Sequence, residues 1–97
     1  MKYDFSNKIK KNFKDDALIK KKYGQLFNQI KVCLSIIESQ DSLAEIPNAM
    51  PTRRHKLSDG TWGLDLSKNW RMIIKPLSGD EPQDIKNIII EDIKDYH

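Results

Sequence analysis

Cysteine, histidine and long apolar runs are scarce in this 97-residue chain, and each scarcity excludes a class of protein. The single cysteine, Cys33, rules out an internal disulfide framework, and we predict a buried thiol in a reducing compartment. No apolar run approaches the roughly 20 residues that a membrane span needs. The charged start "MKYDFSNKIKK" lacks the apolar centre of a secretory signal. We therefore expect a cytoplasmic protein that does not enter a membrane.

The motifs that most often hold metals and cofactors are missing as well. The chain contains no CxxC, no HExxH and no glycine-rich phosphate loop. With two histidines and one cysteine spread along the chain, a structural zinc site is not expected. We predict a protein with no metal and no cofactor.

What the chain has in abundance is charge, and the charge is unevenly distributed. Residues 1–38 contain nine lysines and four acids, whereas residues 39–97 contain eight basic residues and ten acids. A lysine-rich first part suits nucleic-acid phosphates or an acidic protein. The same lysines also fit the solvated faces of ordinary helices. The charge therefore favours a nucleic-acid partner only weakly.

We expect the chain to be one domain spanning residues 1–97. Helical patterns occupy its first half. "KYDF" alternates like a short strand, and Phe5, Ile9 and Phe13 then share one face of a short predicted helix. A longer helix is predicted to begin at Asp15 or Asp16 as the cap, with an interruption at Gly24. Its apolar stripe has 3.6-residue spacing and is interpreted as core: Leu26, Ile30, Cys33, Leu34 and Ile37.

Strand patterns occupy the second half, after the connection "IPNAMP". The Asp59-Gly60 pair is predicted to take the positive φ angles of a tight hairpin turn, and a second turn follows at Ser67-Lys68-Asn69. Trp70 to Lys75 and the run "IKNIIIEDI" predict two more strands, the last of them at the centre of the sheet. The predicted fold class is α+β, with N-terminal helices packed on a mainly antiparallel β-sheet. Trp62 and Trp70 are interpreted as core residues rather than as platforms for nucleobases.

Polar groups are concentrated in three places on these strands: "RRHK" at residues 53–56, Arg71 within "NWRMIIK", and "DYH" at residues 95–97. Antiparallel pairing of neighbouring strands can bring them together. Such a set suits RNA cleavage, which needs a base for the 2′-hydroxyl, a cation for the phosphorane and an acid for the leaving oxygen. An aromatic ring that stacks on an exposed base completes the requirement.

These residues resemble a known family. The helix pair, "HKL" before the hairpin "GTWGLDL", the strand "WRMIIKP" and the closing "IIIEDIKDYH" are similar to HigB-type toxins of the RelE/ParE toxin superfamily. The resemblance covers nearly the whole chain. Its most specific parts are His55 and the Asp-Tyr-His end, since superfamily members that do not cleave RNA generally lack that combination. Trp70 stands where the family usually has tyrosine.

The resemblance implies a small RelE-like fold and the toxin of a type II toxin-antitoxin system. The activity would be that of a ribosome-dependent endoribonuclease, an mRNA interferase that cuts mRNA in the ribosomal A site without a metal. A HigA-like antitoxin would neutralise the monomeric toxin within a toxin-antitoxin complex. The implied catalytic residues are His55, Arg71, Asp95, Tyr96 and His97, and the expected RNA-binding residues are Arg53, Arg54 and Lys56.

Simpler interpretations of the same residues stay open. His55 and Arg71 also fit ordinary surface positions on strands, and Tyr96 also fits an edge of the core. If the last strand continues, alternation places Asp95 and His97 on one side of the sheet and Tyr96 on the other. A rival class is a ParE-like toxin that binds a topoisomerase, or an inactive interaction module on the same fold. A helix-turn-helix DNA binder is disfavoured because the strand-rich half offers no recognition helix.

Overall fold

The computed structural model describes residues 1–95, which form a five-stranded mixed sheet packed against helices. The strands are β1 (Lys2–Phe5), β2 (His55–Lys56), β3 (Trp62–Asp65), β4 (Trp70–Pro76) and β5 (Asn87–Asp95). Their order across the sheet is β1-β5-β4-β3-β2. Only the β1–β5 pair is parallel. The predicted α+β class with a mainly antiparallel sheet is therefore confirmed.

The long helical pattern folds as two helices, α1 (Asp16–Tyr23) and α2 (Phe27–Ser39). Asp15 caps α1, because its side chain accepts a hydrogen bond from the Leu18 amide at 2.9 Å. The interruption comes at Gly24, whose φ of 53° is one that glycine adopts without a steric penalty. The predicted cap and the predicted break are both confirmed.

The stretch between β1 and α1 does not form the predicted amphipathic helix. Only a single 3₁₀ turn forms, at Lys10–Phe13. Phe5 is unable to begin a helix there because it belongs to β1 and pairs with Ile90 of β5. The spacing of the aromatic residues serves packing instead, with the rings of Phe5 and Phe13 stacked 4.2 Å apart.

One face of the sheet and the apolar stripe of α2 form the core. The stripe residues predicted from the sequence are all buried, and on the sheet side they meet Trp62, Leu64, Met72, Ile74, Ile90 and Ile93. Cys33 lies within this core with its Sγ atom 3.8 Å from Sδ of Met72. Burial raises the pKa of the Cys33 thiol to about 12, so the thiol is neutral at physiological pH. Among residues 1–95, no helix has both the length and the apolar character needed to cross a membrane.

The β2–β3 connection differs in detail from the predicted two-residue turn. Only Gly60 takes a positive φ, of 84°, and Asp59 does not. The Asp59 carboxylate instead accepts hydrogen bonds from the amide and the hydroxyl of Thr61, which is an Asx-type turn. The loop closes where the Leu57 amide donates to the Thr61 carbonyl at 2.8 Å. The second turn, at residues 67–69, lies where it was predicted.

Strand pairing defines a second face, which we call the outer face because it points away from α2. Paired residues of neighbouring strands share a face, and alternate residues along a strand lie on opposite faces. Two rows of residues therefore cross the outer face. The first row is His55, Gly63, Ile73 and Asp92, and the second is Asp65, Arg71 and Lys94.

Candidate active site on the outer face of the sheet

Gly63 is the point where the two chemically most versatile side chains of the outer face meet. A Cβ atom built on Gly63 would lie 2.9 Å from Nε2 of His55 and 3.7 Å from Cδ of Arg71. The imidazole from β2 and the guanidinium stem from β4 therefore both lie over the backbone of β3. Two of the predicted catalytic residues, 16 positions apart in the sequence, are neighbours here because β3, the strand between them, has no side chain at Gly63.

The loop before β2 fixes the orientation of His55. Arg53 has a φ of 40°, in the left-handed region that non-glycine residues seldom adopt. Its amide donates to the Ala49 carbonyl at 2.9 Å. Its carbonyl oxygen lies 2.7 Å from Nδ1 of His55. A carbonyl only accepts, so Nδ1 carries the hydrogen in this contact and the neutral ring has its lone pair on Nε2.

Nε2 of His55 is enclosed in this conformation. It has almost no accessible surface and no hydrogen-bond partner among the described residues. A buried imidazole nitrogen with no partner carries an unmet desolvation cost of about 1–3 kcal/mol. A small movement that uncovers Nε2 would recover that cost by offering the nitrogen a partner, and this is what a proton acceptor needs.

Asp65 holds the two arginines of the site. Its carboxylate lies 2.5 Å from Nε of Arg53 and 3.5 Å from Nε of Arg71. The side chain of Asp65 is 11% exposed, whereas that of Arg53 is 46% exposed. The contact to Arg71 is the longer one and is beyond good hydrogen-bond distance. Asp65 therefore holds Arg53 more closely than it holds Arg71.

A hollow of about 300 Å³ adjoins this cluster on the outer face. Its floor is Ile73, which is buried although it lies outside the main core. The β2–β3 loop forms one wall with Asp59 and Thr61, and Lys94 of β5 stands opposite. Hydrogen bonds from Thr61 lower the pKa of Asp59, and the charge of Lys94 lowers it further. The hollow therefore has an apolar floor and fixed charges at its rim.

Two of the predicted RNA-binding residues lie away from this cluster. Arg54 donates through Nε to the Ile46 carbonyl at 2.9 Å, and its guanidinium lies 5.3 Å from the centre of the Trp62 ring. Lys56 pairs with Trp62, which puts it on the helix-facing side of the sheet. Of the three cations predicted to contact RNA, only Arg53 joins His55 and Arg71.

The predicted carboxyl-terminal residues are only partly covered by the structure. Asp95 is exposed and pairs with Trp70, one position after the Arg71–Lys94 pair. Alternation therefore places Asp95 on the opposite side of the sheet from Arg71 and His55. Tyr96 and His97 lie outside the described residues, so their predicted catalytic roles stay predictions.

Three residues of the cluster were not predicted as site residues: Gly63, Asp65 and Lys94. A signal for the first two was present in the sequence, because Gly63 and Asp65 alternate with the core residues Trp62 and Leu64. Within residues 1–95, no group of three or more histidine, cysteine or acidic side chains is arranged to hold a metal ion.

The arrangement is suited to phosphate chemistry. Arg71 is placed to bind an anion, Asp65 sets its position, and His55 has one nitrogen fixed by hydrogen bonding and the other as a possible proton acceptor. No protein-family model, curated protein or solved structure matches the chain.

Proposed function

We propose that the protein is a ribosome-dependent endoribonuclease, the HigB-type toxin of a type II toxin-antitoxin pair. The observation that carries the proposal is the meeting of His55 and Arg71 over Gly63. An imidazole beside a guanidinium supplies a proton acceptor and an anion clamp, which are two of the three groups needed for attack by a 2′-hydroxyl. The third group is an acid for the leaving oxygen, and the resemblance of "DYH" to the family's closing motif suggests that it comes from these residues.

In this proposal Arg71 leaves its long contact with Asp65 and binds the scissile phosphate. Its planar fork suits the equatorial oxygens of the phosphorane better than a lysine would. In the same proposal a small shift of the imidazole uncovers its Nε2 atom, which is enclosed in this conformation. His55 then accepts or relays a proton, and Arg53 stays on Asp65 and preserves the geometry.

The carboxyl-terminal residues take the remaining roles. His97, at an active-site position that the family resemblance implies, donates or accepts a proton in the reaction, and Tyr96 stacks on a message base. Asp95 acts through its neighbours, because its register puts it on the other side of the sheet from His55. A HigA-like antitoxin would bind the toxin and keep it from the ribosome.

The experiment is cleavage of mRNA by the purified protein on translating ribosomes and on the same RNA alone. We expect cuts on ribosomes and little cutting of free RNA, since the ribosome aligns the 2′-hydroxyl for attack. The upstream fragments should end in a 2′,3′-cyclic phosphate, which is the product of 2′-hydroxyl attack.

The matched variants are Tyr96→Ala with His97→Ala, and Lys86→Ala as the control. The double variant should lose cleavage and keep its thermal unfolding temperature and antitoxin binding, whereas Lys86 is exposed at the far end of β5 and should have no effect. Rapid cutting of free RNA, or upstream fragments that end in a 3′-hydroxyl, would rule out the proposed mechanism.

A binding-only toxin on the same scaffold is the second candidate. The enclosure of Nε2 of His55 favours it, because a ring that never opens has a structural role. In that case the protein would inhibit a topoisomerase while messages stay intact, and His55→Gln would leave toxicity unchanged. A supercoiling assay beside the cleavage assay separates the two candidates.

A further inference from the structure

Two adjoining hollows lie where α1 approaches the beginning of β4. One, of about 440 Å³, is lined by residues that include Lys8, Lys11 and Asn12, and the other, of about 450 Å³, by residues that include Gln25 and Gln29. Both hollows share Lys22, Tyr23 and Trp70. We call the combined depression the trough. Each hollow is within the size range of small-ligand sites.

The trough is electropositive. Lys11 and Lys22 are exposed along it, and Lys8 stands at its end. Among the lining residues within the described part of the chain, Asp92 is the one acid, and its carboxylate is bound to Nζ of Lys8 at 2.7 Å. The three lysines and one aspartate of this lining give a net charge of +2, which favours an anionic occupant.

The trough also has aromatic walls that are held in place. Tyr23 and Trp70 are both half-buried and pack against the core. The ring of Tyr23 lies 5.5 Å from that of Phe13. Partial burial raises the pKa of Tyr23, so the phenol stays neutral. Fixed aromatic rings beside lysines are the features that single-stranded nucleic acids use for stacking and phosphate contacts.

The trough is continuous with the outer face. Lys8 and Asp92 line both the first hollow and the hollow whose floor is Ile73. Asp92 stands in the same row as His55 and Gly63. A flexible polyanion lying in the trough would therefore reach the outer face past the Lys8–Asp92 ion pair.

We propose that the trough binds single-stranded RNA and guides it toward the outer face. The role as a guide rests on the proposed ribonuclease function, whereas RNA binding in the trough is testable without it. Lys11 and Lys22 contact phosphates, and Trp70 and Tyr23 stack on bases. An acidic protein segment would satisfy the lysines but would gain nothing from the flat aromatic rings, so RNA is the better match.

The test uses a fluorescein-labelled single-stranded RNA of about 12 nucleotides, a length within the range of single-strand sites. Binding is measured by anisotropy over a range of salt concentrations. Lys11→Ala with Lys22→Ala should weaken binding about tenfold and lower the salt slope by about 1.4, which corresponds to two phosphate contacts. Lys2→Ala with Lys86→Ala removes the same charge from exposed positions at the other end of the sheet and should change neither value.

Tryptophan fluorescence tests the stacking. RNA should quench the intrinsic emission of the wild type, and Trp70→Phe should lose most of the quenching, because Trp62 is buried in the core. A poly-glutamate peptide of equal charge should bind more weakly and should not quench. Equal binding by the peptide, equal loss in both double variants, or quenching that survives Trp70→Phe would overturn the proposal.

The same assay separates this proposal from the proposed function. If RNA binds in the trough but no message is cut on ribosomes, the trough stands and the nuclease proposal fails. If messages are cut at the wild-type rate by Lys11→Ala with Lys22→Ala and RNA binding is unchanged, the nuclease proposal stands and the trough is not the path.

Discussion

The two faces of the sheet are built from the same strands and differ in almost every physical respect. On β3, Leu64 is fully buried against the helices, and its neighbours Gly63 and Asp65 belong to the outer face. On β4, Met72 and Ile74 lie in the core, and Arg71 lies beside Asp65. The helix-facing side is held by apolar packing, whereas the outer face holds charges at fixed positions.

The difference shows how a small protein separates stability from chemistry. Burial of apolar surface stabilises the fold without regard to direction. The outer face uses directional contacts instead, such as the bond from His55 to the Arg53 carbonyl and the bridge from Arg53 to Asp65. We therefore expect core substitutions to change the free energy of unfolding and outer-face substitutions to change activity.

The largest effect on stability is expected from Leu64→Ala. The side chain is fully buried, and its loss leaves a cavity that should lower the free energy of unfolding by about 2–5 kcal/mol. Urea unfolding measures it. Lys75→Ala, at an exposed position of β4, is the control and should stay within about 0.5 kcal/mol of the wild type. A similar loss in both variants would remove the distinction between the faces.

Arg71→Ala, on the outer face, should change activity rather than the free energy of unfolding. Loss of a preorganised cation should raise the barrier to cleavage by about 2–4 kcal/mol. Arg71→Lys should restore only part of the rate, because lysine lacks the planar fork. Single-turnover cleavage on ribosomes measures the barrier, and a melting curve checks the fold. Wild-type cleavage by a folded Arg71→Ala protein would show that the arginine has no part in the reaction.

Gly63→Ala tests the meeting point of the two side chains. The new methyl group would lie 2.9 Å from His55 Nε2, so the contact must give, and we expect the ring to turn away and lose its bond to the Arg53 carbonyl. Losing that bond should cost about 0.5–1.5 kcal/mol of stability. Nitrogen chemical shifts of His55 should report the changed tautomer, and cleavage should fall with it. Unchanged shifts would mean that Gly63 does not determine the ring position.

The smallest effect is expected from Arg53→Ala. Its bridge to Asp65 is short, but the Arg53 side chain is nearly half exposed, so solvent screening limits its worth to about 0.2–1 kcal/mol. The loss should shrink further at high salt. Thermal unfolding at low and high salt provides the measurement. A loss above 2 kcal/mol that is insensitive to salt would make the outer face part of the stabilising structure.

Local signals in the sequence were sufficient for much of the fold. The cap at Asp15, the break at Gly24 and the stripe of α2 depend on residues within a few positions of one another, and all three are confirmed. The predicted helix between β1 and α1 was wrong, because Phe5 is held by Ile90, which lies far away in the sequence. The predicted positive φ at Asp59 was also wrong, because the Asp59 side chain accepts a hydrogen bond from the Thr61 amide and forms a different turn.

The candidate site was less predictable than the fold. His55 and Arg71 were selected by residue type and resemblance, and the structure brings them together. Arg54 and Lys56 are predicted to bind RNA as part of the polar cluster "RRHK", yet one is bound to the Ile46 carbonyl and the other lies on the helix-facing side. Adjacency in a strand places residues on opposite faces, so a cluster of cations in sequence need not be a cluster in space.

The sequence by itself determined helices α1 and α2, the α+β class, the burial of Cys33 and the chemical types available for a site, because those features follow from composition and periodicity. Only the tertiary structure decided that Gly63 leaves room for His55 and Arg71, that Asp65 holds two arginines, and that Trp70 borders an electropositive trough. Strand register and helix placement decide such contacts. They arise from packing between residues distant in the chain, which no local pattern specifies.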